Sequence, residues 1–337
     1  MVDIKENIEL SQFTTFKIGG PARYFLIAKD EDDLRESFAF AKTRKLPIFV
    51  LGGGSNLLVS DQGFNGLVIK NEIKGFKFID KDQDKVIFEV GAGEIWDEIV
   101  ALSVARNLSG LENLSGIPGT VGGAAVQNAG AYGTEIKDCL ISVSGLNIVN
   151  GKSFEFNLKD CQYGYRDSVF KANKKLVITR VVFELSKKSN LNISYASLKA
   201  RLVDEKDLTL GKIRDEVLKI RSEKLPDWRK MGTAGSFFKN PVIDLDKYEK
   251  LKTEYPEIPG FPEKNNKIKI PLAWILDHVC NLKNYKEGKV GLYEKQPLVL
   301  VSSAGALEKE VVKISKTVKE KVFEKTGIEI EEEVEKI

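Results

Sequence analysis

The segment from Glu112 to Gly133 has the residue types best suited to surround a ligand with backbone amide groups. It contains four alanines, no lysine or arginine, and six glycines: Gly116, Gly119, Gly122, Gly123, Gly130 and Gly133. Glycine lets a backbone adopt positive φ and approach a ligand closely, so this segment could line a flat, bulky cofactor with N–H donors. A tight loop that packs small residues under a helix accounts for the composition equally well.

The first glycine-rich segment along the chain lies upstream of it, directly after a predicted buried strand over residues 48–51, so the Glu112–Gly133 segment is the second. Gly52-Gly53-Gly54 leads into Ser55, Asn56 and an apolar segment over residues 57–59. This order indicates a β-α-β-like start, in which the amides of the glycine turn could face a phosphate.

A third glycine turn, Gly91-Ala92-Gly93, has the beginning of a dinucleotide-binding fingerprint. Trp96 stands where the third glycine of that fingerprint belongs. We therefore interpret this turn as structural, which disfavours a nicotinamide dehydrogenase of the Rossmann type.

Composition and charge limit the kinds of protein that this chain can be. Its 337 residues are 42% hydrophobic and 30% charged, with a net charge of +3, which is too weak to indicate a nucleic-acid surface. The three cysteines are far apart and there is one histidine, so we expect no metal site and a reducing, cytoplasmic location. No apolar segment approaches the length of a membrane span, and no signal peptide is expected.

Hydrophobic periodicity places the main elements along the chain. Helices are predicted over residues 33–44, 96–104, 211–223, 272–279 and 307–325, the last of them capped by Gly327. Strands are predicted over residues 86–90, 140–149, 153–158, 176–185, 298–302 and 328–334. Lys224-Leu225-Pro226-Asp227 breaks the third helix and indicates a domain boundary.

Six collinear motifs extend over essentially the whole chain, at residues 52–59, 115–123, 128–133, 163–168, 235–241 (Gly-Ser-Phe-Phe-Lys-Asn-Pro) and 333–334 (Glu-Val). Together they resemble the UDP-N-acetylenolpyruvoylglucosamine reductase family. The first four resemble its FAD-binding half, and the last two are similar to its substrate half. The segment over 193–198, which contains Tyr195, looks like the extra substrate-capping loop of one subtype.

The resemblance implies an α+β protein. An FAD-binding fold of the vanillyl-alcohol oxidase-like (PCMH) type would occupy two subdomains, residues 1–70 and 71–224. A C-terminal α+β substrate-binding domain would follow over residues 225–325, with residues 326–337 returning to the first subdomain or to the active site. His278 is far in sequence from both glycine-rich segments, so we expect non-covalent FAD.

The resemblance also implies a reaction and its participants. The family reduces the enolpyruvyl ether of a UDP-N-acetylglucosamine derivative to UDP-N-acetylmuramate, a peptidoglycan precursor, with FAD as cofactor and NADPH as co-substrate. Hydride passes from NADPH to FAD and then from flavin N5 to the enolpyruvyl methylene carbon. The partners are therefore small molecules, and we expect a monomer with no nucleic-acid partner and no membrane insertion.

Three catalytic residues follow from the resemblance. Arg166 is expected to face the substrate carboxylate, because a guanidinium makes paired hydrogen bonds to a carboxylate and keeps its charge. Ser236 is expected to donate a proton to carbon, assisted by Lys224 or Lys239, between which the sequence does not choose. Glu333 is expected to act with Arg166 at the carboxyl group.

The remaining expected contacts are those of the cofactor and the substrate. The residues expected to bind FAD are Gly52, Gly53, Gly54, Ser55, Asn56, Leu57, Ser115, Gly116, Pro118, Gly119, Gly122, Gly123 and Tyr132. The residues expected to bind substrate are Tyr165, Tyr195, Lys224, Asn240 and Gln296.

The C-terminus departs from the family pattern at one position. Glu335 stands where the family usually has a basic residue, so we expect the substrate contact from this position to differ. The acidic run Glu331-Glu332-Glu333 also leaves the register ambiguous, and we choose Glu333 because it precedes Val334 at the family's spacing from Gly327.

Two other classes of protein remain as alternatives. Another FAD-dependent oxidase or dehydrogenase of the same fold would keep the glycine-rich segments but should lack residues 235–241. A nucleotide-sugar-binding protein without turnover would need no flavin and would tolerate Ser236→Ala.

Overall fold

A computed structural model describes residues 2–337 of the chain. The described residues form twenty strands, β1 to β20, which are Lys5–Glu9, Pro21–Ala28, Ile48–Leu51, Leu57–Leu58, Phe64–Asn71, Phe76–Asp80, Lys85–Gly91, Gly130–Ala131, Thr134–Glu135, Leu140–Asn147, Ser153–Asn157, Leu176–Ser186, Gly232–Ser236, Val242–Asp244, Phe261–Glu263, Lys267–Lys269, Lys286–Glu287, Val290–Tyr293, Gln296–Ser302 and Glu335–Lys336.

The same residues form nine α-helices, α1 to α9, which are Glu31–Arg44, Trp96–Ala105, Val121–Gln127, Val169–Ala172, Ala196–Leu202, Leu210–Lys224, Leu245–Glu254, Leu272–Trp274 and Glu308–Thr326. Short 3₁₀ turns cover Leu10–Phe13, Glu112–Leu114 and Ile136–Asp138. No helix among residues 2–337 combines the length and the apolar character needed to cross a membrane.

The chain divides into two compact units. Unit 1 comprises residues 2–8, 22–53 and 65–223, and unit 2 comprises residues 9–21, 54–64 and 224–337. The three domains expected from the sequence are defined by the ligand that each would bind. The division into two compact units does not test this, so the three domains stay a prediction.

The larger sheet of unit 1 has the strand order β11-β10-β12-β7-β6, and its neighbours pair antiparallel. Its strands are rich in β-branched and aromatic residues, which suit a pleated, half-buried surface. Trp96 of α2 packs edge-on against Phe183 of β12, with 6.1 Å between ring centroids, and both side chains are fully buried. This sheet and its helices form the core around the Glu112–Gly133 segment.

The second sheet of unit 1 has the order β1-β2-β5-β3, with β3 and β5 parallel. Helix α1 connects β2 to β3, begins after the N-cap Asp30, and ends at Lys45 in the left-handed conformation. The expected β-α-β-like start at Gly52-Gly53-Gly54 is wrong, because no helix follows this turn. The chain instead passes through bends and a turn over residues 52–56 and then forms β4, whose Leu57 and Leu58 pair with Glu335 and Lys336 of β20.

Unit 2 has its own core, built from β13-β19-β18-β17, β14-β16-β15 and α9. Helix α9 buries Val311, Ile314, Val318 and Val322 along one face, as the periodicity predicted. Gly327 has φ 61° and caps the helix, which confirms the predicted cap. The helix predicted over residues 272–279 is present as α8 followed by a π-turn over Ile275–Val279.

The strand predicted over residues 328–334 is wrong. The only strand after α9 in the described chain is β20, which begins at Glu335. Residues 331–333 instead run antiparallel to residues 237–239, through the hydrogen bonds Lys239 N to Glu331 O at 2.9 Å and Glu333 N to Phe237 O at 2.8 Å. These bonds satisfy the backbone of the tail without a regular ladder.

Candidate active site

The two glycine-rich segments meet within unit 1. A Cβ built on Gly53 would lie 2.4 Å from the Cα of Gly119, and one built on Gly52 would lie 2.8 Å from Oγ1 of Thr120. Gly119 has φ +120°, which side-chain-bearing residues rarely adopt. Glycine is therefore required on both sides of the contact, and the paired backbones of these segments remain partly exposed.

The segment beyond Gly119 forms α3, which the sequence analysis did not predict. Thr120 is its N-cap and accepts from Gly123 N at 3.4 Å, and Asn128 closes it with φ 45°. Gly122 packs against Ala92, where an added Cβ would lie 2.9 Å from the alanine Cβ. The small residues thus let a short helix lie directly against the turn after β7.

Gly116 is held from two sides. Its N–H donates to Oδ1 of Asp97 at 2.6 Å, and its carbonyl accepts from Nε of Arg221 at 3.1 Å. Asp97 in turn receives a paired hydrogen bond from Arg214, at 2.6 and 2.9 Å. The neighbouring Ser115 is fully buried and donates to Glu112 O at 2.6 Å, so its hydroxyl stabilises this turn. Pro118 lies between these anchors and Gly119, partly exposed.

Electrostatics shift the pKa of the carboxyl group of Asp97. Burial alone would raise its pKa, but the hydrogen bonds from Arg214 and from Gly116 N–H bring it below the ordinary value of 3.8. Asp97 is therefore ionised at neutral pH and joins α2, α6 and the Gly116 turn.

Arg166 lies in unit 1 on a loop held by hydrogen bonds at both ends. Its Nη2 donates to Gly130 O at 2.8 Å, and its guanidinium lies 5.8 Å from the ring centroid of Tyr165. Asn128 Nδ2 donates to Gly164 O at 2.9 Å, and Ser168 Oγ donates to Val126 O at 2.7 Å. The backbone of Arg166 has φ 53°, a conformation that costs about 1 kcal/mol for a non-glycine residue.

A second arginine shares the electrostatic environment of Arg166. Burial, above all, lowers the pKa of Arg221, and the charge of Arg166 adds to this effect. Tyr132 lies beside Arg221 and packs edge-on against Tyr195, with 5.4 Å between ring centroids. The charges of Arg166 and Arg221 therefore act on one another in unit 1, and two neighbouring guanidinium groups favour an anionic ligand.

The loop that carries Tyr195 is tied to the Tyr132 turn. Asn113 is 1% exposed, and its Nδ2 donates to Tyr132 O at 2.7 Å and to Asn192 O at 2.8 Å. Asn192 Nδ2 donates to Gly133 O at 3.0 Å. Tyr195 itself is 48% exposed, at the start of α5.

Ser236 and Glu333 both lie in unit 2, and their backbones are close. Ser236 ends β13, opposite Val299 of β19. Phe237, which follows it, accepts the 2.8 Å hydrogen bond from Glu333 N. The C-terminal tail therefore places Glu333 beside the Gly-Ser-Phe-Phe segment, although the two lie far apart in the sequence.

Asn56 connects this tail to the end of the first glycine-rich segment. Its Nδ2 donates to Glu333 O at 3.1 Å, and its carbonyl accepts from Glu335 N at 3.1 Å. Gly54 belongs to the same unit, where an added Cβ would lie 2.0 Å from Phe13 O. Ser55 lies between them, partly exposed.

The other expected substrate residues have varied surroundings. Asn240 Oδ1 accepts from Leu272 N at 2.9 Å, which anchors the start of α8. Gln296 begins β19, opposite Tyr293, and is partly exposed. Lys224 ends α6 and is exposed. Lys239 Nζ lies 2.8 Å from Oε2 of Glu331.

Sequence reasoning did not identify Lys70, Asp97, Asn113, Arg214 or Arg221 as parts of the site. Arg214 and Arg221 are seven residues apart on α6, and that spacing places them on one face of a helix. Their partners come from other elements, so no local pattern could have revealed the contacts.

Comparisons with known proteins agree with this geometry. The FAD binding domain family matches residues 22–157, and the family described as UDP-N-acetylenolpyruvoylglucosamine reductase, C-terminal domain, matches residues 227–337. These matches confirm the predicted order of an FAD-binding fold followed by a family-specific C-terminal domain.

Curated relatives cover nearly the whole chain. UDP-N-acetylenolpyruvoylglucosamine reductase of Pseudomonas aeruginosa is 38% identical over 335 residues, which is 98% of this chain and 98% of that protein. The same-named protein of Bacteroides fragilis is 38% identical over 333 residues, covering 98% of this chain and 99% of its own. The structure of UDP-N-acetylenolpyruvylglucosamine reductase (MurB) from Thermus caldophilus shares the fold, with a TM-score of 0.69 at 24% identity over 100% of this chain and 98% of that chain. The chain belongs to the UDP-N-acetylenolpyruvoylglucosamine reductase family.

Proposed function

We propose that this protein reduces UDP-N-acetylglucosamine enolpyruvate to UDP-N-acetylmuramate, with FAD as its cofactor and NADPH as its reductant. The observation that carries the proposal is the pairing of the C-terminal tail with residues 237–239, which brings Glu333 beside Ser236 in a chain of this family. A serine and a carboxylate so placed suit a reaction that protonates a carbon next to a carboxyl group.

The glycine-rich segments fit FAD. The close approach of Gly53 to Gly119 leaves no room for a Cβ, so both segments present backbone rather than side chains. Gly52, Gly53, Gly116, Pro118, Gly119 and Gly123 are the residues that would hold the cofactor. Bound FAD supplies the hydride chemistry, and the chain supplies binding, orientation and charge.

The roles of Ser115, Gly122 and Tyr132 in this binding are indirect. Ser115 and Gly122 are buried and shape the turn and the start of α3. Tyr132 lies beside Arg221, which itself donates to Gly116 O. Gly54, Ser55, Asn56 and Leu57 continue the first segment into unit 2, where Asn56 also holds Glu333. The proposed binding is non-covalent, since His278 stacks on Trp274 in unit 2 and hydrogen-bonds to its carbonyl oxygen.

Arg166 is proposed to bind the enolpyruvyl carboxylate and to stabilise the negative charge that develops there. Its guanidinium donates to Gly130 O, which orients the group, and a permanently charged fork suits a carboxylate. The neighbouring charge of Arg221 increases the preference for an anion.

The ion pairs of the acidic tail support Glu333 as the proposed catalytic carboxylate. Glu332 binds Ser315 at 2.5 Å, Lys319 at 3.0 Å and Lys336 at 2.6 Å, so it serves the structure of unit 2. Glu331 is exposed and pairs with Lys239. That pairing also favours Lys224 over Lys239 as the cation that assists proton donation by Ser236.

The proposed substrate contacts use residues of different elements. Tyr195 caps the UDP moiety and Tyr165 supports Arg166, while Lys224, Asn240 and Gln296 bind diphosphate or uridine. The hydrogen bond of Asn240 Oδ1 to Leu272 N leaves its amide nitrogen as the group proposed to donate to the substrate. The backbone of Glu335 pairs with Leu57 of β4. Because its side chain is acidic, a substrate contact from this position would differ from that of the basic residue usual in the family.

The proposed setting is the cytoplasm, where a monomer would act in peptidoglycan precursor synthesis. NADPH and the sugar nucleotide both react at the same flavin position, so we propose that they use one site in turn. Parallel initial-rate lines would support this scheme, and intersecting lines would refute it.

The test of the whole proposal is an anaerobic titration of the flavin absorbance, first with NADPH and then with the enolpyruvyl sugar nucleotide. Absorbance that bleaches and then returns supports both half-reactions. Absorbance that bleaches and does not return when the sugar nucleotide is added would refute the proposal that this sugar nucleotide is the substrate. A purified protein that takes up no FAD refutes the proposed cofactor chemistry.

A further inference from the structure

Lys70 contacts the glycine turn that the cofactor is expected to use. It lies near the end of β5, directly opposite Leu51 of the parallel strand β3. Gly52 follows Leu51, and Lys70 Nζ donates to its carbonyl oxygen at 2.5 Å. Both residues belong to unit 1.

A lysine at this point of the strand is unusual, because the residues before it are fully buried and apolar. Leu67, Val68 and Ile69 are each 0% exposed. Lys70 itself is only partly exposed, and desolvation lowers the pKa of its ammonium group. Placing a charged group there has a free-energy cost, which indicates that the contact with Gly52 has a specific role.

The contact fixes the orientation of a whole peptide group. The described chain has no cis peptide bonds, so the Gly52 carbonyl and the Gly53 N–H point in opposite directions across a planar trans unit. When Lys70 holds the carbonyl, the Gly53 N–H must point away from Lys70. A peptide between two glycines has the greatest freedom to rotate, so fixing its orientation costs conformational entropy.

We propose that Lys70 is a cofactor-positioning residue, which orients the Gly53 N–H as a hydrogen-bond donor to bound FAD by holding the Gly52 carbonyl. Gly53 is the residue that packs directly on Gly119 of the second segment, so its amide lies where the two segments meet. Lys70 acts through the peptide and needs no contact with FAD itself. The inference rests on FAD binding and on no other part of the proposed reaction.

Lys74 provides a matched control. Its Nζ donates to the carbonyl oxygen of Gly93 at the same distance, 2.5 Å, and lies 3.7 Å from Glu94. The turn at Gly93 is the one interpreted as structural. A general effect of removing a lysine from a glycine carbonyl would therefore appear equally at both positions.

The experiment measures the Kd of the flavin-free protein for FAD by quenching of flavin fluorescence, in wild type, Lys70→Met and Lys74→Met. We expect Lys70→Met to weaken FAD binding at least about 10-fold, the effect of losing one well-oriented hydrogen bond. Lys74→Met should stay within about 2-fold of wild type. Equal Kd values for Lys70→Met and wild type, or equal losses in both variants, would overturn the proposal.

Repeating the titrations at high salt separates orientation from charge. Positioning through the peptide predicts a loss that persists at 1 M salt, where long-range attraction to the FAD phosphates is screened. A loss that disappears would show that Lys70 acts by its charge on FAD, and would overturn the positioning role. Wild-type protein that binds no FAD would instead remove the cofactor on which the inference rests.

A measurement on the wild-type protein makes the test independent of whether the variants fold. Glycine-selective ¹⁵N labelling allows the exchange of the Gly53 N–H with solvent to be followed. FAD should slow this exchange strongly, because the amide becomes a donor to the ligand. Unchanged exchange of Gly53 on FAD binding would refute the proposal.

Discussion

The backbone N–H of Glu333 donates to the carbonyl oxygen of Phe237 at 2.8 Å, directly beside Ser236. In an extended segment successive side chains point to opposite sides, so the pairing of the tail with residues 237–239 separates the roles of Glu332 and Glu333. The side chain of Glu332 binds Ser315, Lys319 and Lys336, whereas the backbone of Glu333 is held beside Ser236.

This relationship predicts opposite outcomes at two adjacent glutamates. Glu333→Gln should lower the rate at which substrate reoxidises the reduced flavin by about 10²–10⁴-fold, the usual size of an acid–base contribution. Glu332→Gln should lower the free energy of unfolding by about 1 kcal/mol and leave the reoxidation rate near wild type. Stopped-flow absorbance and urea unfolding measure the two effects, and the reverse pattern would assign catalysis to Glu332.

Ser236→Ala tests the proposed proton donor. The hydroxyl is expected to act only after hydride transfer to substrate has begun, so flavin reduction by NADPH should keep its wild-type rate. Reoxidation by the sugar nucleotide should fall by about 10²-fold or more. Anaerobic stopped-flow traces of both half-reactions give the comparison within one protein, and equal losses in the two would exclude this role for Ser236.

Arg166→Lys and Arg166→Ala distinguish charge from geometry. Lysine keeps the positive charge but loses the planar fork, and neither substitution changes the need for the φ of 53° at this position. We expect reoxidation by substrate to be slower in both variants, with the alanine variant slower by a further factor of about 10 or more. Wild-type reoxidation in Arg166→Ala would show that the carboxylate is held elsewhere.

Asp97 predicts a specific dependence of stability on pH. Its pKa lies below 3.8 in the folded protein, since the hydrogen bonds from Arg214 and Gly116 N–H outweigh the opposing effect of burial. A carboxyl group with a lowered pKa stabilises the fold above its unfolded pKa, and the contribution is lost as pH falls through the folded value. Asp97→Asn should therefore be less stable than wild type at pH 7, by about 1–3 kcal/mol, and the difference should shrink below about pH 4.

Urea unfolding of both proteins between pH 3 and pH 7 measures this effect, and a difference that does not vary with pH would contradict the prediction. Because Asp97 also holds the Gly116 N–H at 2.6 Å, the Asn variant should bind FAD more weakly even at pH 7. Glu205→Gln is a suitable control for FAD binding, since the exposed Glu205 pairs with Lys212 at 2.7 Å and neither residue belongs to a glycine-rich segment or to the turn after β7.

The parts of the fold that the sequence predicted well depend on local patterns. The helix predicted over residues 211–223 is α6, Leu210–Lys224, because Ile213, Val217 and Ile220 repeat at helical spacing and are buried. Helix α9 and its cap Gly327 follow the same logic. Motif order, rather than periodicity, supplied the names of the catalytic residues.

The parts that were missed depend on contacts between distant residues. Helix α3 contains two glycines and two alanines, which give no amphipathic pattern, and its caps Thr120 and Asn128 are defined only by their conformation. The tail over residues 331–333 consists of three glutamates, which do not reveal locally that their backbone pairs with residues 237–239. The contact of Lys70 with Gly52 likewise requires the register of β3 against β5.

Asn113 gives the last prediction, which concerns the loop of Tyr195. Both acceptors of its Nδ2, Tyr132 O and Asn192 O, are carbonyl oxygens, so only an amide nitrogen satisfies this position. Asn113→Asp keeps the shape but places a carboxylate oxygen against two carbonyl oxygens. We expect this variant to release the loop over residues 191–195 from the Tyr132 turn.

Release of that loop should raise the KM for the sugar nucleotide about 10-fold, because Tyr195 would no longer be held against Tyr132, while NADPH still reduces the flavin at the wild-type rate. Hydrogen exchange of residues 191–195 should rise in parallel.

Asn71→Asp is the matched control, since Asn71 is also buried and its Nδ2 donates to a carbonyl oxygen, that of Ile178, at 2.8 Å. It should lower stability without changing KM or exchange in the loop. If both variants change KM alike, general destabilisation explains the effect; if only Asn113→Asp does, the hydrogen bonds of Asn113 set the position of Tyr195.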